Sequence, residues 1–279
     1  MNKSSLEESA LQSTYADRGY YFPVRVLSNE EISYFQKQYF DFHERNRPEL
    51  EKLPAKEQFK ILSETHAALN WVYRLASHPK VLDTVSTILG PNLMIWGSRW
   101  FTKMPGDKTY ITWHQDATYW GLHPPDVTTA WIALSDSVSE NGCMRVVPET
   151  HKLGILPQTE TYAPDNALSR GQEIAVAVDE SQAVDIVLHP GEMSLHHIGI
   201  VHGSNPNTSG TPRIGLAVRY ISTAVVQDGK ERSFAMLVRG RDEFGNFDLI
   251  EPPSEDSPAG GPGQSEVARR MLANVMPKK

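Results

Sequence analysis

The sequence predicts a mainly β protein with helical additions, a double-sheet jelly roll of the double-stranded β-helix, cupin-like type with N-terminal helices packed on the sheet. Three observations carry that expectation. Helix-period patterning is confined to about residues 1–92, and from Leu93 onward short β-like runs recur between turn signals. The chain has 279 residues, 39% of them hydrophobic, which suits one substantial core in an all-β domain extended by helices.

The elements follow in order. Ser28-Asn29-Glu30-Glu31 opens a segment with apolar residues at Ile32, Phe35, Tyr39 and Phe42, a helix expected to run to about Arg45, before Pro48. A second helix is expected over Glu57 to Leu75, and a third from Pro79 to Leu89, stopped by Gly90-Pro91. Strand-like runs then cover Met94 to Met104, Val127 to Leu134, Cys143 to Val147, Ala183 to Leu188, Glu192 to His197 and Arg213 to Ile221. His151 to Gln182 is too long for an ordinary hairpin connection, and an insert of that length suggests a lid or a disordered loop. The tail from Glu251, rich in Pro, Gly, Ser and acidic residues, is expected to be mobile, with a short amphipathic helix over Ser265 to Val275. The organisation expected is a single domain: a helical part over about 1–92, a jelly-roll core over about 93–250 and a tail over about 251–279.

Composition excludes several function classes. A net charge of -7 with no basic run argues against a nucleic-acid surface, because phosphate neutralisation needs a basic face. No stretch approaches the length needed to span a bilayer, and Met1 to Ala10 is polar and acidic without an apolar signal-peptide core. The expectation is a cytoplasmic protein with neither membrane nor nucleic-acid partner; its oligomeric state is not legible. Cys143, the single cysteine, excludes an internal disulfide and reads as a small buried hydrophobe. Gly260-Gly261-Pro262-Gly263 lacks the Lys-Ser/Thr pair of a phosphate loop.

Three short segments fit together as one site: Trp113-His114-Gln115-Asp116, then Val201-His202-Gly203-Ser204, then Arg213 beyond a turn-rich loop. A His-x-Asp pair with a distant His is the ligand set of the 2-His-1-carboxylate facial triad, which holds Fe(II) on one face and leaves positions open. In an extended chain His114 and Asp116 point the same way while Gln115 turns away. Asn205 to Pro212 is dense in turn formers, so the strand ending near Ser204 should return beside one beginning near Arg213. Arg213 then offers a planar fork matched to a carboxylate. His196 and His197 are equally metal-capable, but neither is followed by a Ser, a turn and an Arg, which favours His202.

With these residues in place, the chain resembles the phytanoyl-CoA dioxygenase family of Fe(II)- and 2-oxoglutarate-dependent oxygenases. The likeness extends from about Trp71 to about Phe247 and is clearest at Trp113 to Ala117, Thr129 to Leu134, Asn141 to His151, Pro190 to His197 and Val201 to Asn207. It implies metal ligands at His114, Asp116 and His202. It also implies an Arg eleven residues after the distal His, here Arg213, holding the far carboxylate of 2-oxoglutarate with Ser204 beside it. Gln115 and Trp131 match further cosubstrate-pocket positions. Asp116 stands where related halogenases have a small residue, so the resemblance implies hydroxylation of an unactivated C–H bond, with O2 consumed and succinate and CO2 formed.

Residues near the motifs that could line a substrate pocket are Lys103, Trp113, Tyr119, Trp120, Asn70, Arg99 and Arg145, although aromatics also fill barrel interiors and basic strand residues often face solvent. The acidic balance disfavours a bulky coenzyme A ester and favours a small polar metabolite, with 2-aminoethylphosphonate a candidate on general resemblance. Two other readings stand beside the hydroxylase: a cupin-type metal enzyme that does not use 2-oxoglutarate, and an inactive binding or sensor homologue.

Overall fold

The computed structural model describes residues 3–50, 52, 63–163, 165–168, 171–229 and 232–253. Among the described residues fifteen strands follow one another: β1 (Tyr20–Arg25), β2 (Leu93–Lys103), β3 (Ile111–His114), β4 (Leu122–His123), β5 (Val127–Ala133), β6 (Met144–Val147), β7 (Gln158–Glu160), β8 (Gln172–Ile174), β9 (Val184–Asp185), β10 (Glu192–His197), β11 (Val201–Ser204), β12 (Arg213–Ser222), β13 (Val226–Gln227), β14 (Phe234–Arg239) and β15 (Asp248–Leu249). Seven form one sheet in the order β1-β10-β5-β12-β2-β14-β15, and four form a second, β3-β11-β6-β9. This is the double-stranded β-helix, two facing sheets with helices on the outside of the larger one.

Each face of the large sheet has its own chemistry, set by the two-residue strand period. On β12, Ile214, Leu216, Val218 and Tyr220 are buried in the main core with Trp100, Ile132, Leu195 and the helical residues Trp71, Val72, Leu75, Val81, Leu82 and Val85. The alternate residues turn to the space between the sheets, where Ala217 packs with Trp131, Ala133, Val146, Ile186, Leu188 and Ile200. On β2 the phase changes once. The β12 register skips from Arg219↔Gly97 to Tyr220↔Ile95, so a bulge at Trp96 lets Leu93, Ile95 and Trp100 all reach the helix side.

The helices form for identifiable reasons. Asn29–Leu50 starts in a capping box, in which Ser28 Oγ accepts from Glu31 N at 3.3 Å and Ser28 N donates to Glu31 Oε2 at 2.8 Å. It continues past the expected stop, because Pro48 lies three residues from the end and forfeits one amide donor there without ending the helix. Pro79–Leu89 matches its expectation, with Pro79 in the first turn and Gly90 at φ 86° closing it.

Other elements differ from the sequence expectation. In place of one helix to Leu75, the described part holds a 3-10 turn, Thr65–Ala67, and a helix, Asn70–Ala76. Glu64 at φ 58° and extended Leu69 interrupt the helical path; residues 53–62 lie outside the described residues, as does the expected helix over Ser265 to Val275. The helix Lys3–Arg18 has only a short inward stripe, Leu11 and Tyr15, and Tyr15 donates to Thr128 Oγ1 at 2.8 Å. It leads into β1, an edge strand whose Pro23 falls where the pairing with β10 shifts register. No helix among the described residues is long and apolar enough to cross a membrane.

Tyr220 joins the sheet to the helical layer: its hydroxyl donates to Ala76 O, a carbonyl at a helix end that has no partner within the helix. Tyr220→Phe leaves that buried acceptor unsatisfied and should cost about 1–3 kcal/mol in equilibrium urea unfolding. An unchanged unfolding midpoint would show that the bond contributes nothing.

Candidate active site

The site grows from one pair of strands. β11 runs antiparallel to β3 with His202 directly opposite His114, and their rings lie 4.1 Å apart between centroids. Each imidazole bonds the carbonyl two residues before it: His114 Nδ1 to Thr112 O at 2.9 Å and His202 Nδ1 to Ile200 O at 3.0 Å. A carbonyl only accepts, so Nδ1 carries the proton in both rings and the Nε2 lone pairs are left for an electrophile. Asp116 completes the group. One ligand atom from each of His114, Asp116 and His202 lies within 4.8 Å of the others.

Asp116 arrives by a different route from the one its spacing suggests. β3 ends at His114, and Asp116 already has helical angles at φ -62°, ψ -36°, as the cap of a short helix, Ala117–Trp120. Ala117 N donates to Ile198 O at 3.0 Å, which fixes the turn. Burial alone would raise the Asp116 carboxyl. Contacts with His114, His202 and Arg219 outweigh it and hold the group well below the usual carboxylate range. Burial, then neighbouring His114, pushes His202 down to about 3. A neutral imidazole beside an ionised carboxylate is the form in which these groups bind a metal, so the donor set fits a divalent cation.

Arg213 opens β12 opposite Lys103 of β2. Its guanidinium lies 5.4 Å from the Trp131 ring centroid, and one of its nitrogens donates to Gly142 O. Trp131 rests on Gly215, where a Cβ would come within 2.1 Å of the indole, so glycine is required by the packing. Burial pushes Arg213 down to about 10, which leaves it charged near neutrality, and its Nε is buried without a partner. A buried cation with an unused donor fits a carboxylate ligand. Lys103 stands behind it, donating to Ser204 Oγ at 2.7 Å and to Asn205 O. Asn207 fixes the turn that follows, donating to Lys103 O at 3.0 Å and Thr211 O at 2.8 Å.

These groups share a cavity of about 300 Å³ between the sheets. His114, Asp116, His202, Ser204, Trp131 and Arg213 line it, and so do Arg99, Tyr119 and Trp120 from the suggested substrate pocket. The other suggestions fall elsewhere. Lys103 is buried behind Ser204. Trp113 packs beside Val147, Ile174 and Val201 with Arg145 5.2 Å from its ring, and Arg145 pairs with Glu180 at 2.8 Å and Asp185 at 3.3 Å. Asn70 donates to Pro253 O at 2.9 Å. Gln115 points away from the cavity: its amide donates to Gly154 O at 2.9 Å and Gly199 O at 2.6 Å, and its carbonyl accepts from Leu156 N at 2.8 Å.

Several lining residues were not offered as pocket residues by the sequence reading, among them Arg219, Phe101 and Thr129, and His196, weighed there as a metal candidate, also lines the cavity. Stepping by two along β12 from Arg213 reaches Arg219, so the strand period carried that signal. His196 approaches from β10, its ring 4.9 Å from that of His202, but its Nδ1 has no partner, unlike either ligand histidine. His197 accepts from Gly199 N at 3.0 Å and stacks near His151.

The chain is similar to known proteins over this same region. A solved non-heme monooxygenase, ThoJ in its apo form, is 30% identical, with a TM-score of 0.79 over 95% of this chain and 94% of that one. The ectoine dioxygenase of Sphingopyxis alaskensis is 27% identical over 232 residues, 76% of this chain and 75% of that protein. A probable alpha-ketoglutarate-dependent hypophosphite dioxygenase of Stutzerimonas stutzeri is 28% identical over 157 residues, 56% of this chain and 54% of that protein. The match thus spans about half the length of this last relative. The family model described as Phytanoyl-CoA dioxygenase (PhyH) matches residues 15–215, most of the chain and all of the cavity's principal strands up to the start of β12, and the chain belongs to the phytanoyl-CoA dioxygenase family of Fe(II)/2-oxoglutarate oxygenases.

Proposed function

We propose that this chain is a single-domain Fe(II)- and 2-oxoglutarate-dependent dioxygenase that hydroxylates an unactivated C–H bond of a small polar metabolite. The observation that carries the reading is the convergence of His114, Asp116 and His202 on one wall of a cavity whose same interior presents buried Arg213. His114 Nε2, His202 Nε2 and the Asp116 carboxylate would hold the metal. Fe(II) bound there supplies the oxygen chemistry that couples decarboxylation of 2-oxoglutarate to succinate and CO2 with hydroxylation of the substrate.

The chain's own residues do the rest. Arg213 would pair with the far carboxylate of the cosubstrate, with the Trp131 ring 5.4 Å from its guanidinium as backing. Lys103 holds the Ser204 hydroxyl in place by donating to it. The cavity's volume and its polar lining suit a small metabolite. Asp116 occupies a coordination position that chloride would need, which supports hydroxylation over halogenation. A cupin-type enzyme without 2-oxoglutarate has no use for an arginine buried at this place.

His114→Ala, Asp116→Ala and His202→Ala should each abolish Fe(II) binding and iron-dependent turnover while leaving a folded protein by circular dichroism, because two ligands hold a labile divalent ion poorly. Near-normal turnover in His202→Ala would move the distal ligand to His196.

Arg213→Ala should weaken 2-oxoglutarate more than tenfold, since removing one partner of a buried charged pair costs about 2–5 kcal/mol. Arg213→Lys, which keeps the charge and loses the fork, should fall between the two. Anaerobic titration of the Fe(II) protein, followed by the metal-to-ligand charge-transfer band, measures both. Binding as tight as in the parent protein would overturn the cosubstrate assignment in favour of a metal enzyme that does not use 2-oxoglutarate.

A further inference from the structure

The cavity carries two arginines that neither the metal triad nor the cosubstrate position uses. β2 and β12 pair with Arg219 opposite Gly97 and Arg99 opposite Ala217. On the cavity face the two arginines are therefore diagonal neighbours, close enough for long side chains to meet. Arg99 faces the small Ala217, while the place over Gly97 holds the Glu64 carboxylate and an Arg219 nitrogen. Arg219 lies 4.7 Å from the Trp120 ring centroid and 6.0 Å from that of Trp96, and Arg99 lies 5.0 Å from the Phe101 centroid. Aromatic faces hold the guanidiniums by their planes and leave their edges for hydrogen bonding.

Two carboxylates, Glu64 and Asp116, act on the arginines at this end of the cavity. Glu64 is the carboxylate nearest Arg219, at 3.9 Å from Oε1, a long separation, while its other oxygen accepts from Ser98 N at 3.1 Å and lies 3.7 Å from His66 Nδ1. Burial pushes the Glu64 carboxyl up to about 7 despite Arg219. Burial, and then the like charge of Arg219, pushes Arg99 well below its ordinary value, with Asp116 and Glu64 pulling the other way. Two guanidiniums lining one poorly solvated cleft favour an anion that engages both. Asp116 is near enough to act on Arg99, so such an anion would sit beside the metal ligands.

We infer that Arg99 and Arg219 form a substrate-anion subsite, and that the metabolite oxidised here carries a carboxylate, sulfonate or phosphonate gripped by the two guanidiniums against Trp120 and Phe101. The inference rests on the dioxygenase reading and narrows its substrate class. Arg213 serves a different anion, the cosubstrate. Tyr119 and Trp120 belong to the short helix that Asp116 caps, so the aromatic wall of the subsite and a metal ligand move as one piece.

The test uses protein loaded anaerobically with Fe(II) and saturating 2-oxoglutarate, so that Arg213 is already engaged. The charge-transfer band reports that loading, and its absence would fail the dioxygenase reading separately from this one. Isothermal titration then compares butanoate, propanesulfonate and propylphosphonate with neutral butanamide and with butylammonium. At least one anion should bind tenfold or more tighter than butanamide, and which one does so identifies the group. Arg99→Gln and Arg219→Gln should each reduce that preference at least tenfold with the band unchanged. Butanamide binding as well as every anion, no anion binding at all, bleaching of the band by the anions, or the preference surviving in both variants would overturn the inference. Should a variant fail to fold, the comparison of probes on the parent protein decides alone.

Discussion

His114 and His202 are fixed by backbone pairing before any metal arrives, and the rest of the site is arranged around that pair. The pairing of β3 with β11 is short and irregular, with a register shift between His202 and Ser204. Gly203 sits at the shift, where a Cβ would come within 2.9 Å of Ile111 O, so the two strands close only because that residue has no side chain. Each ring is then locked in rotation and tautomer by its own strand's carbonyl. Two ligands are thus set by main-chain geometry, and the third by the turn that follows one of them.

The large sheet makes a polar interior tolerable. Its outer face, packed on the helices, supplies most of the apolar burial, with Tyr220, Leu75, Leu93, Ile95 and Ile132 among the largest fully buried side chains. Apolar burial at about 25 cal/mol per Å² is the dominant favourable contribution to folding. That contribution offsets a cavity face bearing Arg99, Arg213 and Arg219, charges that cost free energy to take out of water. The same strands serve both ends because successive residues point to opposite faces.

Much of this was legible in the sequence for physical reasons. The alternating runs gave β2, β5, β10 and β12 nearly to their ends, and the turn-formers after Ser204 marked the reversal that sets Arg213 beside the site. Gln115 is instructive. Strand alternation turns it away from the ligands, whereas family resemblance put it near the cosubstrate; it does point away, held by three hydrogen bonds to Gly154, Leu156 and Gly199, but from the turn after β3 rather than from the strand. Glu64 had no local signal, since its place beside Gly97 and Arg219 depends on a long-range fold-back. Lys103 was visible as a substrate-pocket candidate on a strand, but its place behind Ser204 depends on which strands are neighbours, and that is a property of topology.

The insert between His151 and Gln182 has a bearing on how such a protein changes over generations. It folds locally into the β7/β8 hairpin and lends Leu168 and Gln172 to the cavity. It is fastened to the sheets by a few bonds, among them Asn166 Nδ2 to Thr112 Oγ1 at 2.7 Å and Arg99 to Ala167 O at 3.3 Å. The floor of the cavity is written in strand register and resists alteration, while the ceiling is written in one self-contained hairpin. Exchanging the ceiling alters which molecules fit, but its bonds to Gln115 and Thr112, neighbours of Asp116 and His114, tie it to the oxidising apparatus, so selection that edits these thirty or so contiguous codons must keep those ties.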